Sequence, residues 1–279
     1  MPFSRMLSLP FFIAMAISFY LALMVDPAYA SYVIPCVVVL VILYIFSPQI
    51  DWYWYKRNPP TLPGKLGAFF EQHSFFYQQL QREEDRQLFH QRVALFKIAT
   101  DFKSPDADTA VSEDLKVAVA ASAVPLTFHL PDYLLPKFET VVVFAQAFHS
   151  PQYPHYIHAS ELFEEDGVLL FSAPHLMKGF MSPREYYDVV LHEWARAFVL
   201  SFPQLNWPAD DPQRWLVFPQ ISGFPAQAIQ QWINRPDVEL LAVTVVHYFH
   251  FPQQFKAVLP EVYGELEGIF RLEGKRGLA

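Results

Sequence analysis

Two uncharged stretches at the start of the chain limit what the rest can be. Twenty residues without a formal charge lie between Arg5 and Asp26, among them LPFFIAMAISFYLALMV, and twenty-four more lie between Asp26 and Asp51, among them YVIPCVVVLVILYIF. A helix needs about 20 apolar residues to cross the hydrocarbon core of a bilayer. Both stretches reach that length, although the strongly apolar part of the second is short. The connector DPAYAS holds the turn-former Pro27 and one acid. Residues 1–57 therefore read as a transmembrane helical hairpin, with spans at about residues 7–25 and 32–47.

Aromatic rings and charges orient the hairpin. Tyr20, Tyr29, Tyr32 and the cluster DWYWYKR fall where the spans meet water, which suits rings with one wet end. Arg5 precedes the first span, Lys56 and Arg57 follow the second, and the connector has no Lys or Arg. Positive charge stays on the cytoplasmic side. The expectation is a multi-pass protein of the inner, cytoplasmic membrane with residues 58–279 in the cytoplasm. Ala28-Tyr29-Ala30 resembles a signal-peptidase site, but the apolar run before it is longer than a usual signal core. Even after cleavage the second run would stop transfer and leave the remainder cytoplasmic. Cys36 lies mid-span as a small apolar residue.

Composition narrows the classes further. Hydrophobic residues make up 53% of the 279 and charged residues 17%, an apolar balance that fits membrane segments. A formal net charge of -8 argues against nucleic acid as a partner. One cysteine permits no internal disulfide. The nine glycines form no phosphate-cradling loop.

After the stiff connector NPPTLPG, the pattern alternates helix and strand. KLGAFFEQHSFFYQQL has aromatics at helical spacing. REEDRQLFHQRVALFKIATDF opens with acids, where the helix dipole favours them. SEDLKVAVAASAV has Ser112 as its N-cap and ends or kinks at Pro125; its small residues suit tight packing. ETVVVFAQAF and DGVLLFS are of strand length and composition. SPREYYDVVLHEWARAFVL opens with Ser182, Pro183 and Glu185, a capping box that predicts a helix from Pro183. SFPQLNWPADDPQRWLVFPQISGFP, rich in proline, reads as a long loop. RPDVELLAVTVVHYFHFPQQF predicts an apolar helix ending before Pro252, and LPEVYGELEGIFRL a last amphipathic one.

Within DVVLHEWARAF, His192 and Glu193 match the start of the zinc-peptidase signature H-E-x-x-H, whose two histidines lie one turn apart on one helix face. The fifth position is Arg196. On two residues alone, an ordinary helix-surface pair is the simpler reading.

The order of the pieces adds to that match. From about Leu66 to Leu272 the chain resembles the Mlc titration factor A family of zincin-like, zinc-dependent peptidases. FFYQQLQREEDRQLFHQRVALFKIATDF looks like the family's N-terminal helical pair, LKVAVAASAVPL like its Ala-rich helix, and ETVVVFAQAF like its first inner strand. DGVLLFSAPHLMKG looks like the strand and turn before the active helix. DVVLHEWARAF stands where the family has V-V-L-H-E-F-A-H-x-L-D, and RPDVELLAVTVVHYFHFPQQF where it has P-A-E-F-F-A-V-x-S-E-Y-F-F-x-x-P. The membrane hairpin lies outside the resemblance.

The resemblance implies an α+β fold, a mostly helical zincin-like domain with a small sheet, over residues 58–279. It also implies a zinc site of two histidines and a downstream glutamate, with the Glu after the first histidine as general base. Carried over, His192 is the first ligand, Glu193 the general base and Glu239 the third ligand. Arg196 stands at the second ligand position and cannot bind metal, since a guanidinium has no lone pair to offer. Val199 replaces an Asp, SFPQLNWPADDPQRW replaces a polar, Gly-containing stretch, and Trp232 approximately replaces a tyrosine. Glu239 also fits as an ordinary acid in the first turn of a helix. His247 and His250, spaced i, i+3, share a face with Glu239 and offer a substitute ligand set, or are packed aromatics. His155 and His158 in PQYPHYIH are weaker metal candidates.

Three functions follow. One is a membrane-anchored pseudopeptidase that binds a protein or peptide, for instance a transcriptional regulator, as the family's sequestration of a repressor suggests. A second is an active zinc peptidase of aminopeptidase type with a substituted ligand. The third is a structural membrane scaffold with no cofactor, whose cleft between the GVLLF strand and the active helix no longer binds peptide.

Overall fold

Backbone hydrogen bonding inside each helix lets the apolar N-terminal segments stand without water. In the computed structural model, which describes residues 2–106 and 109–270, the first is α1 (Phe3–Met24). At 1.5 Å per residue it is about 33 Å long. Asp26 turns the chain by accepting the Ala28 N–H at 2.8 Å, a 3₁₀ segment follows over Pro27–Tyr32, and α2 (Val33–Ile45) runs back. Phe3–Met24 and Pro27–Ile45 are each long and apolar enough to cross a membrane. The break at Phe46 and Pro48 starts α3 (Ser47–Arg57). Asp51 on α3 accepts from the Ser4 N–H at 2.6 Å and the Ser4 hydroxyl at 2.8 Å, while Phe3 stacks on Trp54 with ring centres 4.1 Å apart. These contacts hold the start of α1 to α3 within a first compact unit, Met1–Pro60.

The second unit, Thr61–Ala279, has its own core. It starts with α4 (Lys65–His73), α5 (Phe75–Gln79) and α6 (Glu83–Ala99). Glu83, Glu84 and Asp85 occupy the first turn of α6, and its buried Phe89, Val93 and Phe96 follow the helical period. β1 (Asp101–Lys103) leads to α7 (Glu113–Thr127), capped by Ser112. Every residue of α7 from Val117 to Thr127 is buried, and its alanines let α6, α8 and α9 approach closely. Pro125 falls in the last turn of α7 and the helix stops there.

β2 (Thr140–Phe144), β3 (Ser160–Phe163) and β4 (Val168–Ser172) complete a four-stranded sheet in the order β1-β2-β4-β3. β1, β2 and β4 are parallel, and β3 is antiparallel to β4. Gly167 makes the β3–β4 turn with φ +65°, and a Cβ there would lie 1.8 Å from the Lys137 carbonyl oxygen. Then come α8 (Ala173–Met181), α9 (Val189–Ser201), α10 (Arg214–Ser222), α11 (Ala226–Ile233), α12 (Leu240–His250), α13 (Pro252–Val258) and α14 (Pro260–Phe270). The result is a mostly helical domain with a small mixed sheet.

Three expectations need correction. The helix predicted from Pro183 begins instead at Val189. The Ser182 carbonyl accepts from Glu185 and Tyr186 in a turn, and Asp188 is the cap, its Oδ1 accepting from the Val190 and Leu191 N–H groups at 3.0 Å each. Gly179 makes the turn possible, since a Cβ there would sit 2.8 Å from the Tyr187 oxygen. Second, the supposed turn after β4 contains α8. Third, the supposed long loop contains α10, which accommodates Pro219 and ends on left-handed Gly223. The last helix is seen as far as Phe270; Leu272, where the resemblance ends, lies outside the described residues.

Candidate functional site

Helix α9 is buried from Val189 to Phe198, so the polar side chains it carries must find partners inside the protein. Glu193 and His192 have no exposed surface and Arg196 keeps 8%. Arg196 Nη1 donates to Glu193 Oε2 at 2.8 Å. Its Nε pairs with Oε2 of Glu239, the residue that precedes α12, and its Nη2 lies 3.6 Å from Oε1 of Glu164 on the β3–β4 turn. One guanidinium thus spans two helices and a hairpin turn.

Arg235, wholly buried in the α11–α12 link, is a second cation that the sequence reading did not single out. Its Nη1 meets Glu193 Oε1 at 3.1 Å and donates to the Ser160 carbonyl at 3.1 Å. Its Nε is 3.8 Å from Asp237, whose other oxygen accepts from Tyr153 OH at 2.5 Å. The Ser160 hydroxyl donates to Glu193 Oε1 at 2.7 Å. Both Glu193 oxygens are therefore engaged, by two guanidiniums and a hydroxyl.

The electrostatics follow. Burial alone would raise the Glu193 carboxyl, but Arg235 and Arg196 overcome it and hold it at about 2. Burial would lower Arg196, and the carboxylates of Glu193 and Glu239 outweigh it and push the guanidinium up. Glu239 is raised by burial, Arg196 pulling it down and Glu193 pushing it up. Its side chain is 42% exposed, yet the oxygen facing Arg196 has no solvent contact.

His192, one turn before Arg196, holds Tyr187 OH at 2.8 Å through Nδ1. Its Nε2 is buried without a partner. Burial keeps the ring neutral, with a pKa lowered to about 3. Trp232 donates its indole N–H to the Tyr187 carbonyl at 3.0 Å and so steadies the segment that positions His192.

The other histidines are placed elsewhere. His247 contacts the Val243 carbonyl through Nδ1 and the Ser222 hydroxyl through Nε2, both at 2.8 Å, and stacks on Phe218. His250 meets Asp188 at 3.0 Å. Neither joins Glu239, so the substitute ligand set is not assembled. His158 is buried against Glu161 at 2.9 Å, and His155 is exposed. Among the described residues, no three of His, Cys, Asp and Glu could hold a metal ion together.

A zinc ion fits these donors poorly. His192 Nε2 is free, but Glu193 and the inner oxygen of Glu239 are bound to guanidiniums. A second imidazole is missing where Arg196 stands. Arg235 and Tyr187 went unnoticed because nothing periodic marks them: one precedes a proline in a link, the other ends a turn.

The sequence model of the glucose-regulated metallopeptidases M90 matches residues 51–198, just over half of this chain. The match includes His192, Glu193 and Arg196 and stops short of Arg235 and Glu239. No curated protein and no solved structure matches.

Proposed function

Because the chain belongs to the glucose-regulated metallopeptidase M90 family, we propose that it is a membrane-anchored member whose metal centre has become an ion-pair cluster, and that it acts by binding a protein or peptide. The observation that carries this reading is Arg196 bridging Glu193 and Glu239. A catalytic zinc needs three protein ligands and an open position. Here the second ligand position holds a cation that is itself the partner of Glu193 and Glu239. A carboxylate held at about 2 is also a weak base near neutral pH, so Glu193 is ill matched to taking a proton. The two apolar helices form the anchor. The basic residues Arg5, Lys56 and Arg57 flanking the hairpin support an orientation with both its ends and the M90 domain on the cytoplasmic side of the inner membrane. A transcriptional regulator is one kind of partner such a domain would hold, by analogy with family behaviour.

The unpartnered Nε2 of His192 favours a second reading, an active zinc peptidase in which Arg196 swings away. Full-length protein in detergent, incubated with zinc and a mixture of unblocked peptides, separates the two. The first reading expects peptides to be retained on immobilised protein and cleaved no faster than by Glu193→Gln. Turnover lost in Glu193→Gln would establish the second reading. Neither retention nor turnover would leave a scaffold.

A further inference from the structure

The N-terminal hairpin carries a groove of about 380 Å³, lined on one side by Arg5, Ser8 and Phe12 and on the other by Leu40, Leu43 and Asp51. The spacing keeps Arg5, Ser8 and Phe12 on one face of α1, while Leu40 and Leu43 come from α2 and Asp51 from α3. The groove is polar at one end and hydrocarbon at the other, in the order a lipid has across a leaflet. Arg5 is exposed, and no carboxylate among the described residues forms an ion pair with it, so its guanidinium donors are available to a ligand. Asp51 uses two acceptor positions on Ser4. A carboxylate has about four, so others remain. One free cation and one incompletely used anion thus share a groove whose floor is apolar. Lys56 and Arg57 lie over the rings of Trp52 and Tyr53.

We propose that this groove binds a phospholipid whose headgroup carries both a phosphate and a primary ammonium. The phosphate sits on Arg5, the ammonium on Asp51, and an acyl chain lies along Phe12, Leu40 and Leu43. An anionic headgroup without an amine would meet the Asp51 charge unrelieved. A choline headgroup has no N–H to donate to it. The inference rests on the membrane reading of the hairpin.

The test uses full-length protein in nanodiscs of phosphatidylethanolamine, phosphatidylglycerol and phosphatidylcholine with matched chains, followed by native mass spectrometry of the retained lipid. Phosphatidylethanolamine should be enriched by about tenfold, the size of one charge-assisted hydrogen bond. Arg5→Gln should abolish the enrichment. Asp51→Asn should turn the preference toward phosphatidylglycerol, because Arg5 would then stand alone. Equal retention of the three lipids, a wild-type preference for phosphatidylglycerol, or a lipid-free dimer joined through the groove would overturn the proposal. Alkaline carbonate extraction of cell membranes tells the two failures apart. Release of the protein defeats the membrane reading and the groove with it, whereas retention without lipid preference defeats the groove alone.

Discussion

A guanidinium differs from the imidazole it would replace in having no lone pair, a permanent charge and a rigid fork of donors. Arg196 uses all three properties, since its nitrogens reach Glu193, Glu239 and Glu164. Removing one member of a buried ion pair costs about 3–5 kcal/mol, because the remaining charge is stranded. Arg235 stays with Glu193 when Arg196 is lost, and the exposed part of Glu239 is screened. Arg196→Ala should therefore fall at the low end, about 3 kcal/mol, in chemical denaturation. Arg196→Lys should recover only part of that, since an ammonium cannot fork between two carboxylates. Arg196→His should make stability rise on adding zinc, a response that wild type lacks. A zinc response in wild type alone would contradict the proposed lock.

At the scale of elements, α9 depends on its cap. Asp188 Oδ1 accepts two of the helix's free N–H groups, and Oδ2 meets His250 at the end of α12. Asp188→Ala should cost about 1–2 kcal/mol, a cap plus a tie between helices. Ser182→Ala should stay within about 0.5 kcal/mol, because Ser182 lies in a turn. Equal losses in the two variants, read from urea midpoints, would restore the helix start suggested by the capping box. The capping box was present in the sequence but lost to Asp188, whose burial and second partner no local pattern reveals. Short elements were hidden for a related reason. β1 and β3 have three and four residues, too few to show a period, and α10 carries a proline that reads as a loop. The long periodic pieces, α6, α7, α9 and α12, were legible. Of the residues singled out from the resemblance, Glu193, Arg196 and Glu239 meet, whereas His192 faces Tyr187. Arg235, Tyr187 and Ser160 were not legible, because they join the site only through tertiary packing.

For the whole molecule, pH tests how the charges are buried. His192 and His247 have pKa values lowered by burial to about 3 and about 4. Above about pH 6.5 they are neutral in both folded and unfolded chains. As pH falls below that, the unfolded chain takes up protons that the folded one refuses, so stability declines until the folded values are reached. Glu193, depressed to about 2, adds stability above about pH 4.3 that is lost as pH falls toward 2. The expected profile is flat from pH 7 to 8 and falls from about 6.5 downward. Its slope should approach about 2.5 kcal/mol per pH unit near pH 5 as two histidines charge. A profile flat down to pH 4.5 would mean that these rings are solvated. A topology measurement bears on the same scale: a C-terminal reporter should be active in the cytoplasm, and periplasmic activity would reverse the proposed orientation.

The most direct test of the central claim, that Arg196 stands where a metal would, is elemental analysis of the full-length protein. The protein would be purified without chelator and dialysed against a mild one. The account predicts zinc far below one ion per chain, with the protein remaining folded and Arg196→His retaining more. One zinc per chain in wild type, surviving dialysis, would contradict it.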